Sequence, residues 1–519
     1  MATEQPVGAP PEVKETIQTK KPAGQKIDPY NVAGEVDETG AVKAIDYNHL
    51  IEEFGVQPLK PEHLERFERI TGKPAHRLMR RKLFFSHRDF DKILDAYEKH
   101  GKFMMYTGRG PSSGSMHLGH TVPFLFTKEL QEIFDVPLVI MLTDDEKYLY
   151  TRNKNHGVQK KGAAVEDFIE FAHENAKDII ALGFDVKKTF IYTDFEYTGL
   201  GHFNQNVKEM ESLITFNQAS GAFGFDASTN VGLISYGAAQ CVAAFPSSYP
   251  TLFGLEDNRP PDYEHLHRHK SLAKIPTLIP CAIDQEPYFR MLRDRCERMS
   301  DPHPKTSLIL SKFLTALQGP GGKMSASDPN SAIFMSDTPK QIQTKINRHA
   351  FSGGRESLEE HRKLGGDPDV DVAYTYLSYF LEDDAELEDL AQRYRRGELL
   401  TGEMKAKCIS ELQNFVADFQ ERRAKVTHEV MRSFMRPRLL EFGGNPNPSQ
   451  KQADAGVAKA NGTANGKAGD EEAGAADASG KEGRGTKSER KQAKMAEKLA
   501  AKAQEKLALR PKGSEGDAT

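Results

Sequence analysis

The chain has 519 residues, which is enough for roughly two to four domains of ordinary size and excludes a single small module. Its hydrophobic content of 38%, charged content of 28% and formal net charge of -5 are typical of a soluble globular protein. They exclude a chain that is basic over its whole surface, so any contact with nucleic acid must be local.

The first 100 residues carry few signals of regular structure. Residues 1–28 contain several Pro and Gly residues and are predicted to be a disordered arm, followed by an appended region at 29–100. No apolar run approaches the roughly 18 residues of a membrane helix, and the N-terminus resembles neither a signal nor a transit peptide. We therefore expect a cytoplasmic protein without membrane contact.

The four cysteines also favour a reducing compartment. Cys241, Cys281, Cys296 and Cys408 form no CxxC pair, so neither a zinc site nor a disulfide framework is indicated.

Strand-like and helical patterns alternate between residues 101 and 336. The predicted strands are KFMMYT (102–107), PLVIML (137–142), TFIYTD (189–194) and TLIPCAI (277–283), and helical patterns such as LGHTVPFLFTKELQEIF separate them. This rhythm predicts an α/β fold: a Rossmann-type parallel sheet in a catalytic domain over 101–336. The ligand crevice of such a sheet lies at the carboxyl ends of its strands.

Two loops within this domain have the composition of phosphate-binding elements. GRGPSSGSMHLGH (108–120) is rich in Gly and Ser and enters a helix, whose free N–H groups attract anions, and it carries His117 and His120 three residues apart. Taken alone, it could be a tight turn with two surface histidines. The second loop, GGKMSASDPN (321–330), carries Lys323 and supports the phosphate interpretation.

Beyond the second loop the strand patterns stop. Helical patterns such as VAYTYLSYFLEDDAELEDLAQRYRRG predict an α-helical domain over 337–444. Residues 445–519 have no aromatic residue and are predicted to be a low-complexity, disordered tail. Its last 33 residues hold nine Lys or Arg against five Asp or Glu and could form a basic helix that binds RNA phosphates or only adds solubility.

The two loops resemble the paired HIGH and KMSKS motifs of the class I aminoacyl-tRNA synthetases. HLGH (117–120) matches the first and KMSAS (323–327) the second. Eight stretches in order, YTGRGPSS, VPLVI, LTDDEKYL, NAKDII, CAIDQEPYFR, ALQG, KMSASDPN and HAFSGGR, make the chain similar to the eukaryotic cytoplasmic tryptophanyl-tRNA synthetases from about Val32 to Gly443.

The resemblance implies an activity and a set of reacting groups. L-tryptophan would react with ATP to give tryptophanyl-adenylate and pyrophosphate, and tryptophan would then pass to tRNA(Trp). ATP would be used with Mg²⁺, without a prosthetic group or a metal site of the protein, by a homodimer. The residues assigned to catalysis are His117, His120 and Lys323, and those assigned to ATP are Gly108, Arg109, Gly119, Lys147, Met324, Ser325 and Ser327.

The resemblance also assigns the tryptophan pocket to Tyr106, Glu146, Gln240, Gln285 and Phe289. A carboxylate suits the substrate ammonium group, and a tyrosine hydroxyl can accept the indole N–H. The chain departs from the family at Ala326, where the general pattern has a second lysine, and at Met141, where relatives have a polar side chain near the indole nitrogen. Several pocket residues could instead be ordinary buried positions.

Contacts with the tRNA anticodon are assigned to Arg355 and Lys405 in the helical domain. Glu356 stands where relatives have aspartate, which keeps the charge and lengthens the side chain. The alternative is a solvated, charged loop.

Three other functions share part of these signals. A tyrosyl-tRNA synthetase has the same fold and loops, and the absence of tryptophan from the chain argues mildly against it. A non-catalytic scaffold would not need His117, His120, Glu146 and Lys323 together, and a small nucleotidyltransferase would lack the helical domain.

Overall fold

The computed structural model describes residues 24–30, 32–35, 42–154, 163–255, 271–319, 324 and 328–449. All of them belong to one compact unit, Met1–Gly456. The predicted site residues Lys323, Ser325 and Ser327 lie outside the described residues, as does the predicted basic helix of the tail.

Seven strands form the central sheet, in the order β3-β4-β9-β8-β5-β6-β7. A separate antiparallel pair, β1 and β2, precedes it in the chain. The strands are β1 (Lys26–Ile27), β2 (Val32–Ala33), β3 (Gln57–Pro58), β4 (Phe84–Arg88), β5 (Met104–Arg109), β6 (Leu138–Leu142), β7 (Thr189–Thr193), β8 (Thr277–Ala282) and β9 (Ser307–Ser311).

The five strands from β9 to β7 are parallel, as the sequence predicts. Strands β3 and β4 extend the sheet in antiparallel orientation, which was not predicted. The chain builds outward from β5 through β6 and β7, then returns to the other side of β5 to form β8 and β9. The strand order therefore reverses at β5 and β8, where a parallel sheet opens a crevice for ligands.

Eighteen α-helices lie within the described residues. They are α1 (Tyr47–Phe54), α2 (Pro61–Thr71), α3 (Arg77–Arg80), α4 (Phe90–His100), α5 (Leu118–Phe134), α6 (Asp144–Lys154), α7 (Val165–Ala181), α8 (Asp194–Tyr197), α9 (Gly201–Leu213), α10 (Phe216–Phe223), α11 (Val231–Val242), α12 (Glu286–Arg293), α13 (Pro339–His349), α14 (Leu358–Leu364), α15 (Val372–Phe380), α16 (Asp384–Arg395), α17 (Thr401–Ala424) and α18 (His428–Met435). In the part of the chain that the structure describes, no helix has the length and apolar character needed to cross a membrane.

Alternating side chains divide the sheet into two hydrophobic faces. Met105 and Ile140 belong to one core cluster, with buried residues of α5, α7, α13 and α15–α18, whereas Tyr106 and Met141 belong to a second cluster, with α10–α12. Because every residue of β6 and β7 is buried, these strands appear in the sequence as continuous apolar runs.

Apart from α14, the helices after residue 337 share the first cluster with the sheet. The helical patterns VAYTYLSYFLEDDAELEDLAQRYRRG and TGEMKAKCISELQNFVADFQERRAKVTHEVMRSFM, which the sequence predicts here, each divide into two helices, α15 with α16 and α17 with α18. Asp383 caps α16 through Ala385 and Glu386, and Thr427 caps α18 through Val430. The proposed boundary between a catalytic domain at 101–336 and a helical domain at 337–444 stays a prediction.

Two described segments fall within the predicted terminal extensions. Residues 26–27, assigned to the N-terminal arm, form β1. Asn445, assigned to the tail, donates from Nδ2 to the carbonyl of Tyr97 at 2.9 Å, and its backbone N–H donates to Gly101. Asn445 is therefore held by contacts distant in sequence, which composition does not reveal.

Candidate active site

A cavity of about 710 Å³ opens at the carboxyl ends of β5, β6 and β8. Most residues assigned to ATP and tryptophan line it: Gly108, Arg109, His117, Gly119, His120, Glu146, Lys147, Gln240, Gln285, Phe289 and Met324. The structure therefore brings together in one crevice residues that are more than 200 positions apart in the chain.

The first phosphate loop is fixed at its carboxyl end by backbone hydrogen bonds. Its last residues pair with a segment that follows the second loop: Leu118 N donates to Ile333 O and Met335 N donates to Met116 O, each at 2.9 Å. Gly119 lies in the first turn of α5, and a Cβ atom there would lie 3.1 Å from the Sδ atom of Met324, so glycine permits close contact between the two loops.

The two histidines of this loop lie against each other. The rings of His117 and His120 are stacked with centroids 3.4 Å apart, and the backbone N–H of His117 donates to Nδ1 of His120 at 3.3 Å. An accepting Nδ1 on neutral His120 leaves the proton on Nε2, where it can be donated to a ligand.

Two further cations line the cavity. Arg109 donates from Nε to Asn175 at 2.5 Å, while its Nη2 is buried and has no hydrogen-bond partner among the described residues. Burial lowers the pKa of Arg109 to about 10, so the guanidinium remains charged at neutral pH. Lys147 passes close to Gly110, where a Cβ atom would collide with its Cε atom.

Glu146 and Gln240 also line the cavity. The Oε2 atom of Glu146 accepts from Thr143 Oγ1 at 3.0 Å and lies 2.9 Å from Lys147 Nζ, and the side chain is 7% exposed. Gln240 is also buried, and its Oε1 accepts from the hydroxyl of Tyr236. A carboxylate and an oriented amide at this position can bind an ammonium group.

Tyr106 lies behind the cavity wall and is fully buried. Its hydroxyl accepts from Gln240 and donates to the Sδ atom of Met141, each at 3.0 Å. Its ring meets that of Phe289 edge to face, with centroids 6.2 Å apart. Tyr106 thus contacts the cavity through Gln240 and Phe289, and its direct contact with indole stays a prediction.

Two tyrosines of the cavity wall were missed by the sequence analysis. The hydroxyls of Tyr30 and Tyr288 are 2.8 Å apart, and the Tyr30 ring stacks on that of Tyr150 with centroids 5.0 Å apart. Burial and the nearby Glu146 carboxylate raise the pKa of Tyr30, so its phenol is neutral. Tyr288 precedes the predicted pocket residue Phe289 in the sequence, so its place near the pocket could have been inferred. No sequence pattern around Tyr30 indicates that it lines the cavity.

Three carboxyl groups lie together near Glu146. Asp144, Asp145 and Asp194 have oxygen atoms within 4.8 Å of one another, which is close enough to hold a cation. Burial raises the pKa of Asp144 to about 7 and that of Asp194 well above its usual range. Burial therefore favours the neutral, protonated forms of Asp144 and Asp194.

The residues assigned to the anticodon lie away from the cavity. Arg355 donates from Nε to Gly365 O at 2.9 Å, and Lys405 donates from Nζ to Ala350 O at 2.9 Å. Both therefore brace the loop that contains HAFSGGR. Arg355 is exposed, and its role toward RNA stays a prediction.

A parallel sheet with an HxGH loop after β5, and with Met324 of the KMSAS stretch beside that loop, is the arrangement expected of a class I aminoacyl-tRNA synthetase. In agreement, residues 261–417 match the sequence model of the family described as tRNA synthetases class I (W and Y).

Similarity to individual proteins is more specific. The chain is 50% identical over 433 residues to the cytoplasmic tryptophan–tRNA ligase of Saccharomyces cerevisiae, which covers 82% of the chain and 94% of that relative. It is 48% identical over 417 residues to the Homo sapiens cytoplasmic tryptophan–tRNA ligase, covering 80% and 82%. Among solved structures, tryptophanyl-tRNA synthetase from Giardia lamblia aligns with a TM-score of 0.68 at 43% identity, covering 76% of the chain and 97% of that structure.

The chain therefore belongs to the family of cytoplasmic tryptophan–tRNA ligases. The predicted family, fold class and cytoplasmic location are confirmed.

Proposed function

We propose that the chain activates L-tryptophan with ATP and transfers it to tRNA(Trp). The observation that carries the proposal is the single cavity that is lined both by Glu146 and Gln240 and by His117, His120 and Arg109. Amino-acid activation requires these two kinds of group at the two ends of one site, because an ammonium group and a triphosphate must be held together.

The amino-acid end would bind tryptophan by its charge and its ring. The Glu146 carboxylate suits the α-ammonium group, and Gln240 and Gln285 supply amide groups beside it. Phe289 gives an apolar wall, and the hydroxyl of Tyr106 retains one lone pair after its two hydrogen bonds. That lone pair is suited to the indole N–H.

The phosphate end would stabilise the charge of departing pyrophosphate. His120 can donate from Nε2, His117 lies beside it, and the buried Nη2 of Arg109 is available to a phosphate oxygen. Lys147, Gly108, Gly119 and Met324 complete the ATP site. We assign Lys323, Ser325 and Ser327 to the same phosphates on the strength of the KMSAS motif.

The first reaction needs no covalent intermediate with the protein. A carboxylate oxygen of tryptophan attacks the α-phosphorus of ATP, and the bond from that phosphorus to the bridging oxygen breaks to release pyrophosphate. The protein holds the two reactants in line and neutralises charge.

Magnesium would enter with ATP. Glu146 and Asp284 are the carboxylates among the described residues that line the cavity, and Glu146 is already bound to Thr143 and Lys147. This donor set suits an ion held mainly by phosphates and water. The ion would add positive charge beside the phosphates.

Two partner assignments complete the proposal. Arg355 and Lys405 would meet the anticodon, where an exposed guanidinium can stack on or hydrogen-bond to an unpaired base. We also propose a homodimer, which is supported by exposed large apolar side chains on α8–α11 and adjoining residues: Phe195, Leu200, Phe216 and Val231.

The decisive experiment is pyrophosphate exchange into ATP by the purified chain with tryptophan or with tyrosine. We expect exchange that depends on tryptophan. Equal or faster exchange with tyrosine would exclude the substrate assignment, and absence of exchange with both would exclude the activity.

A further inference from the structure

Helix α17 is bound to helix α7 by an arginine near its carboxyl end. Arg423 donates from Nε to Asp178 Oδ1 at 2.7 Å and from Nη2 to Glu174 Oε2 at 2.6 Å. Both side chains of the Arg423–Asp178 pair are largely buried, at 24% and 8% exposure. Such a pair is screened less by solvent than an ion pair on the surface.

The same carboxylate holds the first phosphate loop. Asp178 Oδ2 accepts from the backbone N–H of Met116 at 3.3 Å, and Met116 directly precedes His117. Burial raises the pKa of Asp178, and the Arg423 guanidinium acts in the opposite direction. Arg423 therefore favours the ionised carboxylate, in which both oxygens accept hydrogen bonds.

Asn175, one turn earlier on α7, holds the same loop at two other points. Its Oδ1 accepts from Arg109 at 2.5 Å, and its Nδ2 donates to the carbonyl of Ser113 at 2.7 Å. One face of α7 thus fixes residues 109, 113 and 116 of the loop. The position of this face decides where the two histidines lie.

Helix α17 also holds the segment that follows the second phosphate loop. Gln420, one turn before Arg423, donates from Nε2 to the carbonyls of Met335 at 2.9 Å and Asp337 at 3.1 Å. Met335 is the residue whose N–H binds Met116. One turn of α17 therefore contacts the supports of both phosphate loops.

We propose that Arg423 is a positioning residue for adenylate formation and that it acts through Asp178. By fixing the Asp178 carboxylate, it sets the backbone at Met116 and with it His117 and His120 relative to the phosphates of ATP. The proposal rests on the proposed function, since it concerns the activation step. It assigns to the helical part of the chain a residue needed for chemistry in the sheet.

The test compares Arg423→Ala with Arg422→Ala in pyrophosphate exchange by the full chain. Arg422 is a matched control because it lies on the same helix and donates only to a backbone carbonyl, that of Ala181, at 2.7 Å. We expect Arg423→Ala to lower kcat roughly ten- to a hundredfold, as a small misplacement of reacting groups does, with the KM for tryptophan unchanged. Arg422→Ala should keep the kcat of the parent chain.

A merely structural role would show a different pattern. Equal losses in the two arginine variants, or a matching rise in the KM for tryptophan, would overturn the proposal. The double variant Arg423→Ala with Asp178→Asn tests the route, because Arg423→Ala should lower kcat little further once Asp178 is replaced. If Arg423→Ala lowers kcat as much in the Asp178→Asn variant as in the parent chain, the proposal is also overturned.

Thermal unfolding followed by circular dichroism establishes that each variant is folded. If Arg423→Ala does not fold, the Asp178→Asn variant by itself tests the proposal. The proposal requires that this variant have a lowered kcat and an unchanged KM for tryptophan, and a normal kcat refutes it. Failure of the proposed function would look different, because the parent chain itself would show no exchange.

Discussion

The amide of Gln240 donates a hydrogen bond of 3.0 Å to the hydroxyl of Tyr106, and both side chains are buried. Tyr236 fixes this amide by donating a hydrogen bond to its oxygen, and the hydroxyl of Tyr106 donates a hydrogen bond to the Sδ atom of Met141. Four side chains from β5, β6 and α11 thus form one chain of hydrogen bonds. Its direction leaves one lone pair of the Tyr106 hydroxyl without a hydrogen bond among the described residues.

The first prediction concerns that acceptor. Tyr106→Phe should weaken tryptophan binding by roughly ten- to a hundredfold, because it leaves the buried Gln240 amide without its acceptor and removes the partner of the indole N–H. The KM for ATP should change little. The chain contains no tryptophan, so the indole fluorescence of the bound substrate measures the Kd directly. Tyr97→Phe, on the opposite face of the sheet, is the control; equal weakening in both variants would contradict the assignment.

The second prediction concerns Met141, whose thioether is a weak acceptor. Met141→Gln should tighten tryptophan binding severalfold, since an amide of similar length accepts a stronger hydrogen bond. The same fluorescence titration measures it. Met141→Leu has no acceptor and should bind tryptophan less tightly than the parent chain. The expected affinity for tryptophan therefore falls in the order Gln, Met, Leu at position 141. Any other order would show that position 141 does not affect indole binding through hydrogen bonding.

The third prediction is a pH dependence of stability. Folding raises the pKa of Asp144 from 3.8 to about 7, so the folded chain holds this proton more tightly than the unfolded chain. The contribution of Asp144 to the free energy of unfolding is therefore fully present below pH 3.8 and is lost as the pH rises to about 7, by at most about 1.4 kcal/mol per pH unit.

Urea unfolding of the parent chain and of Asp144→Asn, from about pH 5 to about pH 8, isolates this group. We expect the stability of the parent chain to fall relative to the variant across that interval. Parallel profiles would show that Asp144 has the same pKa in the folded and unfolded chains.

The fourth prediction separates the two steps of the reaction. Arg355→Ala should lower the rate of tRNA charging by about tenfold or more and leave pyrophosphate exchange unchanged, because Arg355 lies outside the cavity. Arg396→Ala is a suitable control, since Arg396 is another exposed arginine of the helical part and pairs with Glu398. A loss of exchange in Arg355→Ala would place its effect in the activation step instead.

The parallel core of the sheet was predictable because its strands are buried on both faces. PLVIML and TFIYTD contain β6 and β7 with errors of one residue at the ends. Strands β4 and β9 were missed, since FFSHR contains His and Arg and SLILS is short. They pair with each other across more than 200 residues, and no local pattern encodes that pairing.

The site was predictable where a residue belongs to a motif and not where a distant contact places it. His117 and Glu146 belong to stretches that resemble a known family, so their presence in one cavity follows from the fold. Tyr30 enters the same cavity through a hydroxyl pair with Tyr288, 258 residues away. Its neighbourhood is set by tertiary packing alone, as is the position of Tyr106 behind Gln240.

The backbone pairing of residues 116–118 with 333–335 has a consequence for the order of folding. The partners are roughly 200 residues apart, so closing this contact has a large entropic cost until the intervening strands have formed. During synthesis, a chain that has not yet extended beyond Met335 cannot complete the pairing that supports the HxGH loop. An emerging chain therefore cannot activate an amino acid before nearly the whole sheet has been made, and activity marks a late event in its maturation.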